Sequence, residues 1–351
     1  MTAPVLITVE GHVGRLRLNR PKALHALDLP MCAAMLEALL AWATDTAIDL
    51  VVIDHAEGRG FCAGGDVRKL AQSGAADGKA AAAFFHTEYR LNHLLFTYPK
   101  PTVAFMDGVT MGGGVGISQP CRYRVATEAT RFAMPESGIG LFPDVGGGWY
   151  LSRLPGRLGA WLALTGARLD GGDCRALGLA DHYLDSATLE DVKRELIARP
   201  LELEAILATH EAQAPPSRTT ALRPLIDRLF VSEKLEAIYA MLEQDSSDWA
   251  REQRTILAAK SNVTCKVSLR LISEGAAMTS FADEMRSEYR IASRICRQHD
   301  FIEGVRALLV DKDNAPHWDP ATPEGVPDAT VDALFAPLPS SEEWTPVELG
   351  R

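Results

Sequence analysis

The chain has 351 residues, a mass of 38.1 kDa and a formal net charge of −10, with 47% apolar and 23% charged residues. That composition lies in the ordinary globular range and excludes disordered and fibrous classes; the length suits one large domain plus an extension, or two domains. The acidic balance argues against nucleic acid as a general partner, while leaving room for a small anionic ligand held by a local basic rim.

PVLITVE and GRLRLN flank GHVG and predict a strand pair. LPMCAAMLEALLAWATD carries apolar residues at helical spacing, and DLVVIDH reads as a buried strand. GGDVRKLAQ opens a helix with Asp66 as the expected N-cap. AAAFFHTEYRLNHLLFTY predicts a long amphipathic helix, PTVAFMDG a strand and MGGGVGIS a turn into a short helix. RYRVATEATRFAMPE gives two short strands. Strands alternating with helices indicate an α/β architecture with crossover connections. Beyond about Asp185 the pattern turns helical: VKRELIA, LEAILATH, LIDRLF, LEAIYAMLEQ, WAREQRTILAAK and ADEMRSEYRIASRIC. EAQAPPSRTTALRP is expected to be a loop, and Asn314 to Ser341 an irregular tail with one short helix near Thr330. The predicted organisation is a core over residues 1–190 and a helical extension over residues 191–351.

The six cysteines form no CxxC pair and show no zinc-ligand spacing, so they are expected to be reduced core fillers, with no metal site. No signal peptide and no apolar run long enough for a membrane span is read, which makes cytoplasm the expected location.

Two glycine-rich loops, GRGFCAGGDV and MGGGVG, each follow a predicted strand. Glycine lets another atom approach the backbone N–H, and two such loops at adjacent strand ends can aim two donors at one point. That arrangement stabilises a negative oxygen in a transition state. Tight strand-to-helix turns and a fragment of a dinucleotide fingerprint are the competing readings; the latter lacks its acidic residue at the end of a second strand. A third stretch, MPESGIGLFPDVGGGWY, sets Glu136 and Asp144 eight residues apart and follows the Asp with three glycines.

GFCAGGDV, TVAFMDGVTMGGGVGIS, RFAMPESGIGLFPDVGGGWYLSRL and LALTGARLDGGDCRALGLADHYLD together resemble the crotonase, or enoyl-CoA hydratase/isomerase, superfamily, from about Leu6 to Asp185. SLRLISEG and EMRSEYRIASRICRQHDFIEGVRALLVDKDNAPHW resemble its 3-hydroxyisobutyryl-CoA hydrolase branch. The resemblance implies repeated ββα units, two roughly perpendicular sheets and surrounding helices. It implies that Gly65 and Gly113 donate the oxyanion-hole N–H groups. Ala63, Gly64 and Asp66, with Gly112, are expected along the acyl-CoA, and Lys22, Ala23 and Leu24 on the opposite wall of that cleft. His25 stands where Asn is more usual and is not taken as catalytic.

The hydratase branch uses one glutamate in GGGxE and one in PE. Here Gly116 occupies the first position; Glu136 matches the second, and Asp144 the acid of the hydrolase branch. The resemblance therefore implies thioester hydrolysis, with 3-hydroxyisobutyryl-CoA of valine breakdown as substrate and 3-hydroxypropionyl-CoA as a second. Glu136 is expected as nucleophile or base and Asp144 as its partner. CoA is part of the substrate, and no separate cofactor is expected. A hydratase/isomerase and a non-catalytic CoA-binding protein are the rivals.

Ala81, Phe84, Phe85, Leu91 and Leu95 share a helical face with Glu88, so that carboxylate is expected to be buried. It is then either a substrate-pocket residue, as the resemblance implies, or half of a structural ion pair. Cys62 is expected to pack rather than react. Arg20, Lys22, Arg59, Arg68 and Lys69 are candidates for a phosphate rim, with solvated surface as the alternative. The resemblance implies a homo-oligomer; the long helical extension leaves open that it covers its own core.

Overall fold

The computed structural model describes residues 3–349. Val5–Glu10 (β1) and Val13–Leu18 (β2) pair antiparallel around a two-residue turn. Leu29–Thr44 (α1) starts at Asp28, whose side chain accepts the N–H of Met31 at 3.2 Å. Three strand pairs follow. Leu50–His55 (β3) and Gly60–Cys62 (β4) lead into helices Val67–Gly74 (α2) and Lys79–Phe96 (α3). Thr102–Met106 (β5) and Val109–Met111 (β6) lead into Gly113–Ser118 (α4). Tyr123–Ala126 (β7) and Arg131–Ala133 (β8) lead, through a turn at Glu136–Ile139, into Gly147–Ser152 (α5) and Leu158–Thr165 (α6). Leu169–Asp170 (β9), Gly171–Ala176 (α7) and His182–Tyr183 (β10) close the strand-bearing part.

The first strand of each pair joins a six-stranded sheet, ordered β1-β2-β3-β5-β7-β10; the second joins a four-stranded sheet, ordered β4-β6-β8-β9. In these three pairs the β–β connection therefore steps from one sheet to the other, which is the repeated ββα pattern expected. β3 shows why its sequence is continuously apolar. Val51 and Ile53 face the main core, while Leu50 and Val52 face a second, smaller core on the other side of the sheet.

Most of the rest is helical: Leu189–Ala198 (α8), Leu203–Thr209 (α9), Arg218–Leu229 (α10), Leu235–Gln244 (α11), Asp248–Ala258 (α12), Asn262–Ala277 (α13), Phe281–Ile295 (α14), His299–Val305 (α15) and, within an irregular segment over residues 311–349, Asp328–Phe335 (α16). α8 and α9 cover the second core. α13 packs on α5 and α6, and α14 on α3, so side chains of both segments of the chain enter one apolar cluster.

Three local expectations change. Asp66 stands at the N-cap of α2, but its carboxylate caps no N–H; it is drawn instead to Arg20 at 3.2 Å and Lys69 at 3.5 Å. The loop read over EAQAPPSRTTALRP ends at Ser217, whose hydroxyl caps α10 by accepting from Thr220 N–H at 3.0 Å. α6 and α13 escape the periodicity reading because they have little solvent face. All of α6 is buried, and most of α13.

Candidate active site

Two backbone segments frame the site. Residues 24–27 run beside residues 63–66: Ala63 N–H donates to Leu24 C=O at 2.9 Å, Leu27 N–H to Gly64 C=O at 2.7 Å, and Asp66 N–H to Leu27 C=O at 2.8 Å. Because Leu27 takes the groups on either side of Gly65, the N–H of Gly65 itself points away from that wall. It has no acceptor among the described residues. The facing loop ends in Gly112, at φ +49° and ψ −120°, a conformation open essentially to glycine. There the next N–H, of Gly113, opens α4 and also lacks an acceptor among the described residues. The two loops touch. A Cβ placed on Gly112 would lie 3.3 Å from Gly64 Cα, and one on Gly113 would lie 3.4 Å from the Gly64 carbonyl carbon.

A cavity of about 320 Å³ opens in front of these loops, lined by Gly64, Gly65, Gly112 and Gly113 and by the carboxylates Glu88, Glu136 and Asp144. Glu136 comes from the turn after β8, Asp144 from the loop before α5, and Glu88 from the middle of α3. They are 2–5% exposed. Glu88 Oε1 and Glu136 Oε2 have no hydrogen-bond partner among the described residues, whereas Asp144 Oδ2 accepts the hydroxyl of Tyr89 at 2.8 Å. Glu136 Oε1 lies 3.0 Å from where a Cβ on Gly112 would stand, and Glu88 Oε1 lies 2.5 Å from the same point on Gly113. The carboxylates thus close on the two glycine loops, and a side chain at Gly113 would displace Glu88.

Burial sets the protonation of this group. It pushes Glu136 well above the carboxylate range, with the charge of Asp144 adding to it and Lys260 opposing. Burial likewise holds Glu88 well up, reinforced by Asp144 and then Glu136. Asp144 is raised only to about 7, because the Tyr89 hydroxyl and its own backbone N–H stabilise the carboxylate. Repulsion therefore falls on the two glutamates, and Asp144 is the first of the three to ionise.

Gly116 on α4 is sealed. A Cβ there would lie 2.6 Å from Val145 Cβ and 2.9 Å from Asn92 Nδ2, and Asn92 donates to the Gly116 carbonyl at 2.8 Å. The volume a glutamate would need at that position is occupied by the loop that carries Asp144.

The remaining sequence-stated residues fall around this centre. Ala63 lines the cavity. Lys22, Ala23, Leu24 and Asp66 do not; Lys22 is exposed in the short turn Pro21–Ala23, and Asp66 borders a smaller apolar cavity of about 140 Å³. The expected basic rim is partly spent. Arg20 meets Asp66 and Asp28, Lys69 meets the same two, and Arg68 donates to the Leu309 carbonyl. Arg59 is exposed. His25 is a structural residue: Nδ1 accepts Arg20 N–H at 2.9 Å, Nε2 meets the Glu57 carbonyl at 2.8 Å, and burial holds its pKa down. Cys62 is buried, its thiol 3.3 Å from the His25 carbonyl and pushed up to about 12 by burial, which suits packing.

Five further residues at or beside the site carry no signal in the sequence that connects them with it. Tyr89 supplies the only side-chain hydrogen bond to Asp144 among the described residues. Lys260 sets its ammonium 3.3 Å from where a Cβ on Gly138 would be, above the turn that holds Glu136. Arg168 is exposed at the cavity, and Leu308 and Leu309 wall it from the far end of the chain. A larger cavity of about 730 Å³ lies between α11, α13 and α16. Its cations Lys266 and Arg270 are paired, with Glu236 and with Glu274 and Asp332, and no unpartnered buried polar group among the described residues lines it. The smaller cavity is therefore the candidate site.

Residues 13–335 match the model of a family described as enoyl-CoA hydratase/isomerase. The chain belongs to that family. Within the enoyl-CoA hydratase/isomerase family it is 43% identical over 343 residues to the "3-hydroxyisobutyryl-CoA hydrolase, mitochondrial" of Danio rerio, covering 95% of this chain and 90% of the relative. It is 40% identical over 347 residues to the human protein of the same name, covering 96% and 90%. A solved carnitinyl-CoA dehydratase of Mycobacterium thermoresistibile superposes with a TM-score of 0.93 at 42% identity, covering 98% of this chain and 99% of that one. An enoyl-CoA hydratase of Rhodobacter sphaeroides gives 0.91 at 38% identity, covering 98% and 100%. No helix among the described residues is long and apolar enough to cross a membrane.

Proposed function

We propose that the chain hydrolyses acyl-CoA thioesters, with 3-hydroxyisobutyryl-CoA as its substrate. The observation that carries the reading is the convergence of Glu136 and Asp144 on a cavity floored by the free N–H groups of Gly65 and Gly113, with the Gly116 position closed. The two N–H groups receive the thioester oxygen and stabilise the charge it gains on attack, a contribution of about 2.7–4 kcal/mol for each donor. Glu136 has an unpartnered oxygen and a neighbouring carboxylate that ionises more readily. Glu136 acts on the carbonyl carbon, by its own oxygen or through a water, and the ionised Asp144 accepts the proton set free as the new C–O bond forms. Water supplies the oxygen that forms the new C–O bond; the C–S bond breaks, and the proton released goes to the thiolate. The products are the free acid and CoA, with no separate cofactor consumed.

Glu88 fits recognition of the acyl hydroxyl, since its free oxygen stands beside Gly113 and no cation among the described residues pairs with it. The titles of the two solved relatives favour a second reading, addition of water across an enoyl-CoA double bond. Measuring CoA thiol release from 3-hydroxyisobutyryl-CoA, against hydration of a short enoyl-CoA by loss of its conjugated absorbance, separates the two. Hydration without thiol release refutes the hydrolase reading, and turnover of neither leaves a binding protein. The curated relatives are named as mitochondrial and lend no support to the cytoplasmic expectation. The six buried free thiols fit a reducing compartment.

A further inference from the structure

Glu288, on α14, lies outside the cavity and is fully buried. Its carboxylate accepts Gly146 N–H at 2.8 Å through Oε2 and Gly148 N–H at 3.2 Å through Oε1. Those amides follow directly on Asp144 and Val145. The loop they belong to is under tension, because Val145 has φ +54°, a region that a β-branched residue enters at a cost of about 1–3 kcal/mol. Glu284, one turn earlier on α14, is also fully buried, and neither of its oxygens has a donor among the described residues. A Cβ on Gly148 would fall 1.9 Å from Glu284 Oε1, so α14 can press against the first turn of α5 only because residue 148 is glycine. Two buried carboxyls side by side do not both ionise, and a proton carried between Glu284 and Glu288 satisfies both. Two acids sealed in a helix interface are a costly way to fill space; the use seen here is the pair of backbone N–H groups that Glu288 holds.

We propose that Glu288 is a positioning residue for the reaction: its carboxylate grips the Gly146 and Gly148 amides and so aims Asp144 into the cavity. The helical extension thereby builds part of the site without lining it. This rests on the reading that Asp144 takes part in thioester hydrolysis, and the test separates the two.

The full chain is prepared as Glu288→Gln, Glu288→Asp, Asp144→Asn, and each Glu288 variant combined with Asp144→Asn. Thiol release from 3-hydroxyisobutyryl-CoA gives kcat and KM, and thermal melting reports the fold. In Glu288→Gln an amide NH2 faces one of the two backbone donors, and the loop shifts. The expected result is a kcat lower by about 10- to 100-fold with KM within about three-fold, since displacing a reacting group by about an ångström has that effect on rate. Glu288→Asp, which keeps a carboxyl acceptor on a shorter stem, recovers part of the loss. In the Asp144→Asn background either Glu288 variant lowers kcat by less than about three-fold further, because both changes act through one group. Wild-type kcat in the folded Glu288 variants overturns the proposal, and so does an undiminished loss in the Asp144→Asn background. Should Glu288→Gln not fold, the Glu288→Asp cycle is read by the same criteria. Wild-type turnover in Asp144→Asn alone overturns the role of Asp144, and the proposal with it.

Discussion

Replacing Tyr89 by Phe removes a single oxygen from a fully buried ring and leaves its packing in place. The lost hydroxyl donates to Asp144 Oδ2 at 2.8 Å. A hydrogen bond to an ionised acceptor contributes about 1.5–3 kcal/mol. At about 1.36 kcal/mol per pKa unit, its loss moves the ionisation of Asp144 by about one to two pH units. The direction follows from the geometry. Burial raises Asp144 to about 7 while Tyr89 pulls it down, so the variant ionises at higher pH. Wild-type kcat/KM should therefore climb through neutrality as the carboxylate forms. The Tyr89→Phe profile should climb about one to two pH units later, reaching a similar plateau. On the acid side of the wild-type limb the variant should be slower by about 10- to 100-fold. The assay is initial-rate thioester cleavage from about pH 5 to about pH 10, quenched and resolved chromatographically, because kcat/KM reports groups of the free enzyme. A limb that stays in place, or moves to lower pH, refutes the assignment of Asp144 as the group that must ionise.

Glu136→Gln should cut kcat by about 10²- to 10⁴-fold while leaving the melting temperature near that of the wild type, as followed by thiol release and thermal melting. Gly113→Ala forces a methyl to within 2.5 Å of Glu88 Oε1 and 3.1 Å of Leu27 Cδ1, displacing a donor; a loss of about 10²-fold or more in kcat is expected. Glu88→Gln should raise KM for hydroxyacyl thioesters more than for the unsubstituted acyl analogue. The same variant tests linkage. Glu88 has a folded pKa above its unfolded value, so its contribution is most favourable at low pH and is lost as pH rises through the folded pKa. The variant should therefore melt higher than the wild type by a margin that widens toward alkaline pH.

Much of the site was legible because its parts are local. A glycine that must admit a neighbour and a carboxylate set beside it are visible as short strings, and Glu136, Asp144, Gly65 and Gly113 all line or floor one cavity. Glu88 was legible from spacing alone, because α3 offers an apolar face wide enough to swallow it: Ala81, Phe84, Phe85, Leu91 and Leu95 are all buried. Tyr89 hid beside it, since one residue on a helix turns the side chain about 100° and its partner lies 55 positions away. Lys260, Leu309 and Glu288 hid for the same reason at greater separation: nothing in a local pattern says which distant helix returns to the site. The basic rim was legible only in part. Arg20 and Lys69 are correct in kind, but Asp28 and Asp66 neutralise them, a pairing that only the folded backbone brings together.

Solved relatives are named dehydratase and hydratase, and curated relatives hydrolase. A family member that adds water to a double bond needs a second carboxylate, and here the helix that would carry it presents Gly116. A bare deletion would leave a hole there, about as costly as the side chain it lost. No hole is present: Val145 and Asn92 stand at the position, and the segment that supplies Val145 also brings Asp144 to the cavity from the other side. Val145 adopts its strained φ to do so, and Glu288 holds the next turn in place. Gly116, the filled space beside it, the positive φ of Val145 and the buried Glu288 thus meet at one segment of chain, residues 144–148. Restoring the acid by Gly116→Glu alone should yield an unstable protein without hydration activity, because the loop bearing Asp144 occupies the volume the new side chain needs.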